Sequence, residues 1–284
     1  MKKRSEQEMY QLILSVAKND PRIRAVLLNG SRANPQIEKD QYQDYDIIFW
    51  VRDLESFSKT PNWVDIFGER IIMQMPNNMQ LHNEPMPSMD EGITYLMLFT
   101  DANRIDLSLL PVEKRGSFHD SLTQVLLDKD HLYPDPPLSS DQDYWIRRPS
   151  PKQFIDCCNE FWWVSTYVMK GLLRQEIIYA KEMLENPVRK MFLRMLAWHI
   201  GMQHHFSISL GNSNKFLKKY VDTNLWNSIL NTYPDAQEQN IRKSFKEMIG
   251  LFHQMEMEVA TFLDFDYNSM DSQNVRSYLK DKAL

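Results

Sequence analysis

Apolar positions near the start of the chain recur at helical spacing. Met9, Leu12, Ile13, Val16 and Ala17 follow "SEQE" at residues 5 to 8, which has the Ser-x-x-Glu form of a capping box, so an amphipathic helix is expected there. After Pro21 the period changes to that of strands. Apolar runs at 24 to 28 (RAVLL), 45 to 51 (YDIIFWV), 70 to 75 (RIIMQM), 93 to 99 (ITYLMLF) and 104 to 110 (RIDLSLL) predict five strands, the last two joined by "TDAN" as a hairpin turn. A short helix is expected near 117 to 128. The pattern predicts an α+β fold whose N-terminal part is a mixed sheet with flanking helices.

Residues 131 to 151 hold five prolines and no periodic apolar pattern, the composition of a connection between domains. The expected division is 1–135 and 136–284. Beyond it strand signals vanish. Ser150 and Pro151 suit the first positions of a helix to about 174, Asn186 and Pro187 repeat that start signal, and helical patterns run near 213 to 232 and 237 to 263. The expected C-terminal domain is all-helical, and the tail after Asp264 is polar and poorly patterned.

With 284 residues, 43% of them hydrophobic, the chain can fill sizeable cores. Its 33 Lys and Arg against 38 Asp and Glu give a net charge of -5, which argues against a nucleic-acid backbone as partner and favours a cationic small molecule. The cysteines, Cys157 and Cys158, are adjacent inside a predicted helix, so neither a disulfide framework nor a zinc site is expected, and a reducing cytoplasm is the default location. "MKKRSEQEMY" lacks the apolar run of an export signal, and "MFLRMLAWHIGM" is short and broken by Arg194, so no membrane segment is expected. A monomer or weak dimer is expected.

Against this background one constellation carries chemistry. Side chains alternate across a strand, so Asp44 and Asp46 share a face and would repel unless neutralised. A hard cation such as Mg²⁺ removes the conflict, since it takes one or two carboxylates together with substrate phosphates. Asp106, in "RIDLSL", is the other acid within a strong strand pattern; it either completes a two-metal site or accepts a proton from an attacking hydroxyl. Gly30 and Ser31 directly follow a strand, where a glycine lets the backbone approach a ligand and the following N–H groups and hydroxyl can hold phosphate, with Arg32 adding charge. "GS" or "DxD" alone is common in turns and caps. Together, in this order and at strand edges, they suit transfer of a nucleotidyl group from a magnesium nucleoside triphosphate.

The Gly-Ser, spacer and Asp-x-Asp string resembles the signature of the polymerase-beta-like nucleotidyltransferases. The longer strings "NGSRAN", "YQDYDI", "FGERIIMQMP", "YLMLFTDANRIDLSLLP", "LLDKD", "RRPSPKQFIDCCNEFWWVSTYVMKGLLRQEI" and "LRMLAW" resemble the bacterial aminoglycoside 6-adenylyltransferases, the streptomycin-modifying branch. The likeness runs over most of residues 5 to 233. It implies transfer of AMP from MgATP to a hydroxyl of an aminocyclitol antibiotic with release of pyrophosphate. It also implies a nucleotidyltransferase domain over 1–135 and a helical domain over 136–284, with the substrates between them. By resemblance, Asp44 and Asp46 are the metal-binding pair, Asp106 the third carboxylate, and Gly30 and Ser31 the phosphate turn. Two departures stand out: Asn29 where the branch usually has glutamate, and a less acidic stretch over 73 to 82. Both imply weaker capture of a dication. Two other functions share part of this pattern: nucleotidyl transfer to another small-molecule or protein hydroxyl, and non-catalytic nucleotide binding.

On the helix from 151, Asp156, Glu160, Trp163, Tyr167, Lys170 and Arg174 form one stripe at spacings of three and four. It reads either as a ligand-facing surface, with acids and aromatics for a cationic acceptor and Lys170 for the triphosphate, or as a solvated, salt-bridged face. His199 is expected to pack or to touch substrate. His199, His204 and His205 lack the spacing of a helical metal site, and "GNSNK" at 211 to 215 reads as a helix cap.

Overall fold

The computed structural model describes residues 2–81, 91–282 and 284. The chain divides into two compact units, Met1–Asp143 and Tyr144–Leu284.

The first unit opens with α1 (Glu6–Asn19), whose N-terminus carries the complete capping box: Glu8 N donates to Ser5 Oγ and Ser5 N to Glu8 Oε2. At its other end Lys129 donates to the carbonyls of Ala17 and Asp20, at 2.6 and 2.9 Å, and so closes the last turn. Then follow β1 (Ile23–Asn29), the single turn α2 (Gly30–Ala33), β2 (Tyr45–Val51), α3 (Leu54–Ser58), β3 (Arg70–Gln74), β4 (Ile93–Phe99), β5 (Arg104–Pro111) and β6 (Gln124–Asp128). The six strands form one mixed sheet in the order β3-β4-β5-β2-β1-β6, in which β2 and β5 run parallel and the other neighbours antiparallel.

Alternation sorts the side chains of the sheet. Leu28, Tyr45, Ile47, Phe49, Ile105, Leu107 and Leu109 pack with Met9, Ile13 and Ala17 of α1. On the opposite face Ala25, Leu27, Ile48 and Trp50 make a smaller cluster with Phe118, Leu132 and Tyr133, which leaves the rest of that face for polar residues. The hairpin between β4 and β5 closes with Phe99 N donating to Asn103 O at 2.9 Å. The helix expected near 117 to 128 is absent among the described residues. Its second half is β6, because the open edge of β1 offers Gln124–Asp128 a ladder that outweighs the helix preference of its leucines.

In the second unit, α4 (Pro151–Leu173) starts with a capping box between Ser150 and Gln153. It is followed by α5 (Ile177–Met183), α6 (Arg189–Gln203), α7 (Thr223–Asn231), α8 (Glu238–Leu263) and α9 (Met270–Asp281). Pro187 does not begin a helix as expected. It lies within a π-turn, Leu184–Val188, that carries the chain from α5 into α6; the wider turn accommodates a ring that would strike the Met183 carbonyl in an α-helix. The helical pattern at 213 to 232 is two short 3₁₀ turns and then α7, and the polar tail contains α9, held by Val275 and Leu279 against the core. Phe161 and Phe252 stack at 3.6 Å in that core, and the fully buried Glu256 accepts from Trp162 Nε1 and the Tyr267 hydroxyl at 2.8 and 3.0 Å. Among the described residues no helix is long and apolar enough to cross a membrane.

Candidate functional site

Strand register assembles the acidic site. Asn29 pairs with Asp46 across β1 and β2, Asp46 with Asp106 across β2 and β5, and Asp106 with Leu96 across β5 and β4. Directly opposed residues project to one face, so Asn29, Asp46 and Asp106 stand in a row. Asp44, two positions before Asp46, extends the row just before β2 begins.

β1 ends at Asn29, and the chain turns at Gly30 with φ of +68°. A β-carbon there would lie 2.0 Å from Oδ2 of Asp46, so only glycine lets the turn rest against that carboxylate. The Gly-Ser turn and the second aspartate are thus one packed feature. Ser31 follows, half-buried, in α2.

Arg32 faces away from the role expected of it. Its side chain is buried; Nε donates to Asp44 O at 3.0 Å and Nη2 to Gln43 O at 2.8 Å, the guanidinium lies 3.9 Å from the Tyr45 ring centroid, and Nη1 is 3.6 Å from Glu6. It holds the backbone that carries Asp44.

Arg104 brings a cation to the acidic face. It forks onto Asp106, Nε to Oδ1 and Nη2 to Oδ2, both at 2.7 Å, and its Nε is 3.6 Å from Asp44 Oδ2. These hydrogen bonds, with the fields of Asp44 and Asp46, raise the pKa of the guanidinium, so it stays charged. Arg104 lies two positions before Asp106 in "RIDLSL", so strand alternation puts both on one face. A second set of contacts had no sequence signal: Asn29 Nδ2 donates to Asp120 Oδ2 and Thr123 Oγ1 at 2.9 and 2.8 Å, while Asn29 Oδ1 is buried without a partner. Finding it requires knowing that the segment ahead of β6 lies beside the end of β1.

The donors suit a hard divalent cation. Asp44 and Asp46 are half-buried carboxylates of the kind such a cation takes, and the glycine turn packs directly against Asp46. No group of three or more His, Cys, Asp or Glu among the described residues is placed to hold a metal. Arg104 forks onto Asp106 and also approaches Asp44, so it links the third acid to the pair. His82, the last residue of the less acidic stretch, lies outside the described residues.

The α4 stripe forms as the spacing predicts. Trp163, 61% exposed, donates from Nε1 to the Tyr167 hydroxyl at 2.8 Å, and Lys170 Nζ is 5.5 Å from the Tyr167 ring centroid. Asp156 pairs with Lys152 at 2.5 Å, Glu160 is exposed, and Arg174 pairs with Glu176 at 3.1 Å. His199, on α6, is buried; its Nε2 meets Glu258 Oε2 at 2.6 Å and its Nδ1 has no partner. Burial works against ionisation of Glu258, yet hydrogen bonds from Gln254 and His199 hold its pKa below the usual range. Both thiols are buried, and burial pushes Cys157 up to about 12, which makes it a packing residue.

Residues 3–282 match the streptomycin adenylyltransferase family. The chain is 44% identical over 272 residues to the aminoglycoside 6-adenylyltransferase of Campylobacter jejuni, covering 95% of this chain and 93% of the relative. It is 43% identical over 271 residues to the aminoglycoside 6-adenylyltransferase of Bacillus subtilis, covering 94% of each. A crystal structure of an aminoglycoside 6-adenyltransferase from Bacillus subtilis is similar at 39% identity and a TM-score of 0.48, over 98% of both chains. The acidic row and glycine turn lie within the matched span, and the chain belongs to the streptomycin adenylyltransferase family of nucleotidyltransferases.

Proposed function

We propose that the protein transfers AMP from MgATP to a hydroxyl of an aminoglycoside, with streptomycin as the first acceptor to test, and releases pyrophosphate. The observation that carries this reading is the Gly30 turn seated on the Asp46 carboxylate, in register with Asp106. A glycine turn packed on a carboxylate supports a phosphate site beside a metal site, and the named activity of the relatives supports the acceptor class.

In this reading Asp44 and Asp46 hold Mg²⁺, which when bound neutralises the triphosphate and favours the in-line geometry. Backbone N–H groups after Gly30 and the Ser31 hydroxyl hold phosphate oxygens. Arg32 fixes the loop that presents Asp44. The acceptor oxygen forms a bond to the α-phosphorus, the bond from that phosphorus to the β-phosphate oxygen breaks, and pyrophosphate leaves with its electron pair. Asp106 takes the hydroxyl proton. Asp156, Glu160, Trp163 and Tyr167 suit an acceptor that carries amine or guanidine groups and a sugar face, and Lys170 suits a phosphate.

The test is incubation with ATP, Mg²⁺ and streptomycin, then a panel of other aminoglycosides, with products weighed by mass spectrometry. An acceptor heavier by one adenylyl group, with pyrophosphate released in equal amount, is expected. Pyrophosphate release without any modified acceptor would move the acceptor outside this class.

A further inference from the structure

Three carboxylates on one face need a counter-charge before any metal arrives, and Arg104 supplies it. It lies two positions before Asp106 on β5, on the same face, and its fork engages both oxygens of Asp106 while approaching Asp44. The fork takes one lone pair on each oxygen of Asp106 and fixes that carboxylate beside Asp44. The same cation also reduces the negative field at the Asp44 and Asp46 pair. For Arg104 to reach any other partner, the fork must open.

We propose that Arg104 is a partner-exchanging positioning residue: in the free protein it neutralises Asp106 and Asp44 and competes with the divalent cation, and when the metal and nucleotide enter it passes to the triphosphate. The inference rests on the proposed metal and nucleotide site. The side chain is well placed for such an exchange, because it is 42% exposed while Asp106 beneath it is 20% exposed. The metal with the paired acids offsets the charge that the guanidinium leaves, and the phosphate oxygens accept the same planar fork that a carboxylate does.

A residue that merely supports the fold would weaken both ligands when removed, whereas an exchanging cation moves them in opposite directions. The probe is Mn²⁺ alone and MgATP alone, each titrated calorimetrically against wild type, Arg104→Gln, Arg104→Lys and Asp46→Asn, with circular dichroism confirming that each is folded. Arg104→Gln is expected to bind Mn²⁺ about tenfold tighter and MgATP about tenfold weaker than wild type. Arg104→Lys, which keeps a charge without the fork, should fall between them. Weakening of both ligands, or no tightening of Mn²⁺, overturns the exchange while leaving the metal site standing. If Asp46→Asn binds Mn²⁺ as wild type does, the metal site itself fails and the inference with it.

Discussion

A β-carbon on Gly30 would lie 2.0 Å from Oδ2 of Asp46, so the turn after β1 and the second acid of the Asp-x-Asp pair occupy their positions only together. Gly30 also has a φ of +68°, in the left-handed region. Gly30→Ala is therefore expected to displace Asp46 and the turn at once. We expect kcat to fall by at least about a hundredfold, with a stability loss of about 1–2 kcal/mol from backbone strain. Steady-state kinetics beside a urea titration checks both, and near-normal turnover would separate the turn from catalysis.

Asp46→Asn keeps the shape of the side chain but removes the charge that suits a divalent cation. A fall in kcat of about a thousandfold with a wild-type circular dichroism spectrum is expected. An Asp46→Asn enzyme with unchanged kcat would remove this residue from the metal pair.

Arg32→Gln tests the reassignment of that residue from phosphate to loop. Because a buried guanidinium holds two backbone carbonyls, its loss is expected to cost about 2–4 kcal/mol in urea unfolding. Arg32→Lys should restore little, since an ammonium cannot serve both carbonyls in one plane. A stable Arg32→Gln protein with weakened ATP binding would return Arg32 to the phosphates.

Asp101 gives a pH dependence. Burial opposes ionisation of this residue, but hydrogen bonds from Arg4 and Asn103 prevail and hold its carboxyl well below the usual range. A carboxyl depressed in the folded state stabilises above its unfolded pKa of about 3.9, and that contribution is lost as pH falls from about 5 towards the folded value. Asp101→Asn is expected to be less stable at neutral pH and to show a flatter loss of stability below about pH 5, measured by thermal melts across pH. Parallel curves for the two proteins would contradict this.

Trp163 lies open on α4 and is bonded to Tyr167. For Trp163→Ala we expect the KM for the aminoglycoside to rise about tenfold, with the KM for ATP and the melting temperature nearly unchanged. An unchanged acceptor KM would make the stripe a solvated face.

The sequence made β1 to β5 legible because each, the edge strand β3 included, carries an apolar run, and their pattern also exposed Asp44, Asp46 and Asp106 as acids out of keeping with it. β6 was not legible, since its short "QVLLD" run also fits a helix and takes its conformation from pairing with β1. Pro187 misled for a related reason: proline marks helix starts in general, and a π-turn is a local solution that depends on the packing of α5 and α6. At the site, the residues with charge out of pattern could be named, whereas their partners could not. Arg32 looked like a phosphate ligand until its buried contacts with Gln43 and Asp44 were seen, and Asn29 meets Asp120 and Thr123 only through the β1–β6 pairing.

The order of the sheet places Asp46 and Asp106 on β2 and β5, each hydrogen-bonded to a strand on both sides, while Gly30 and Ser31 sit in a single helical turn that leads into the loop before Asp44. Amide hydrogens of β2 and β5 should then exchange with solvent only when the whole unit opens, and those of the turn and loop in smaller, faster openings. The acids are thus carried by the part of the unit expected to open last, and the Gly30 turn that rests against Asp46 links them to a part expected to open more readily.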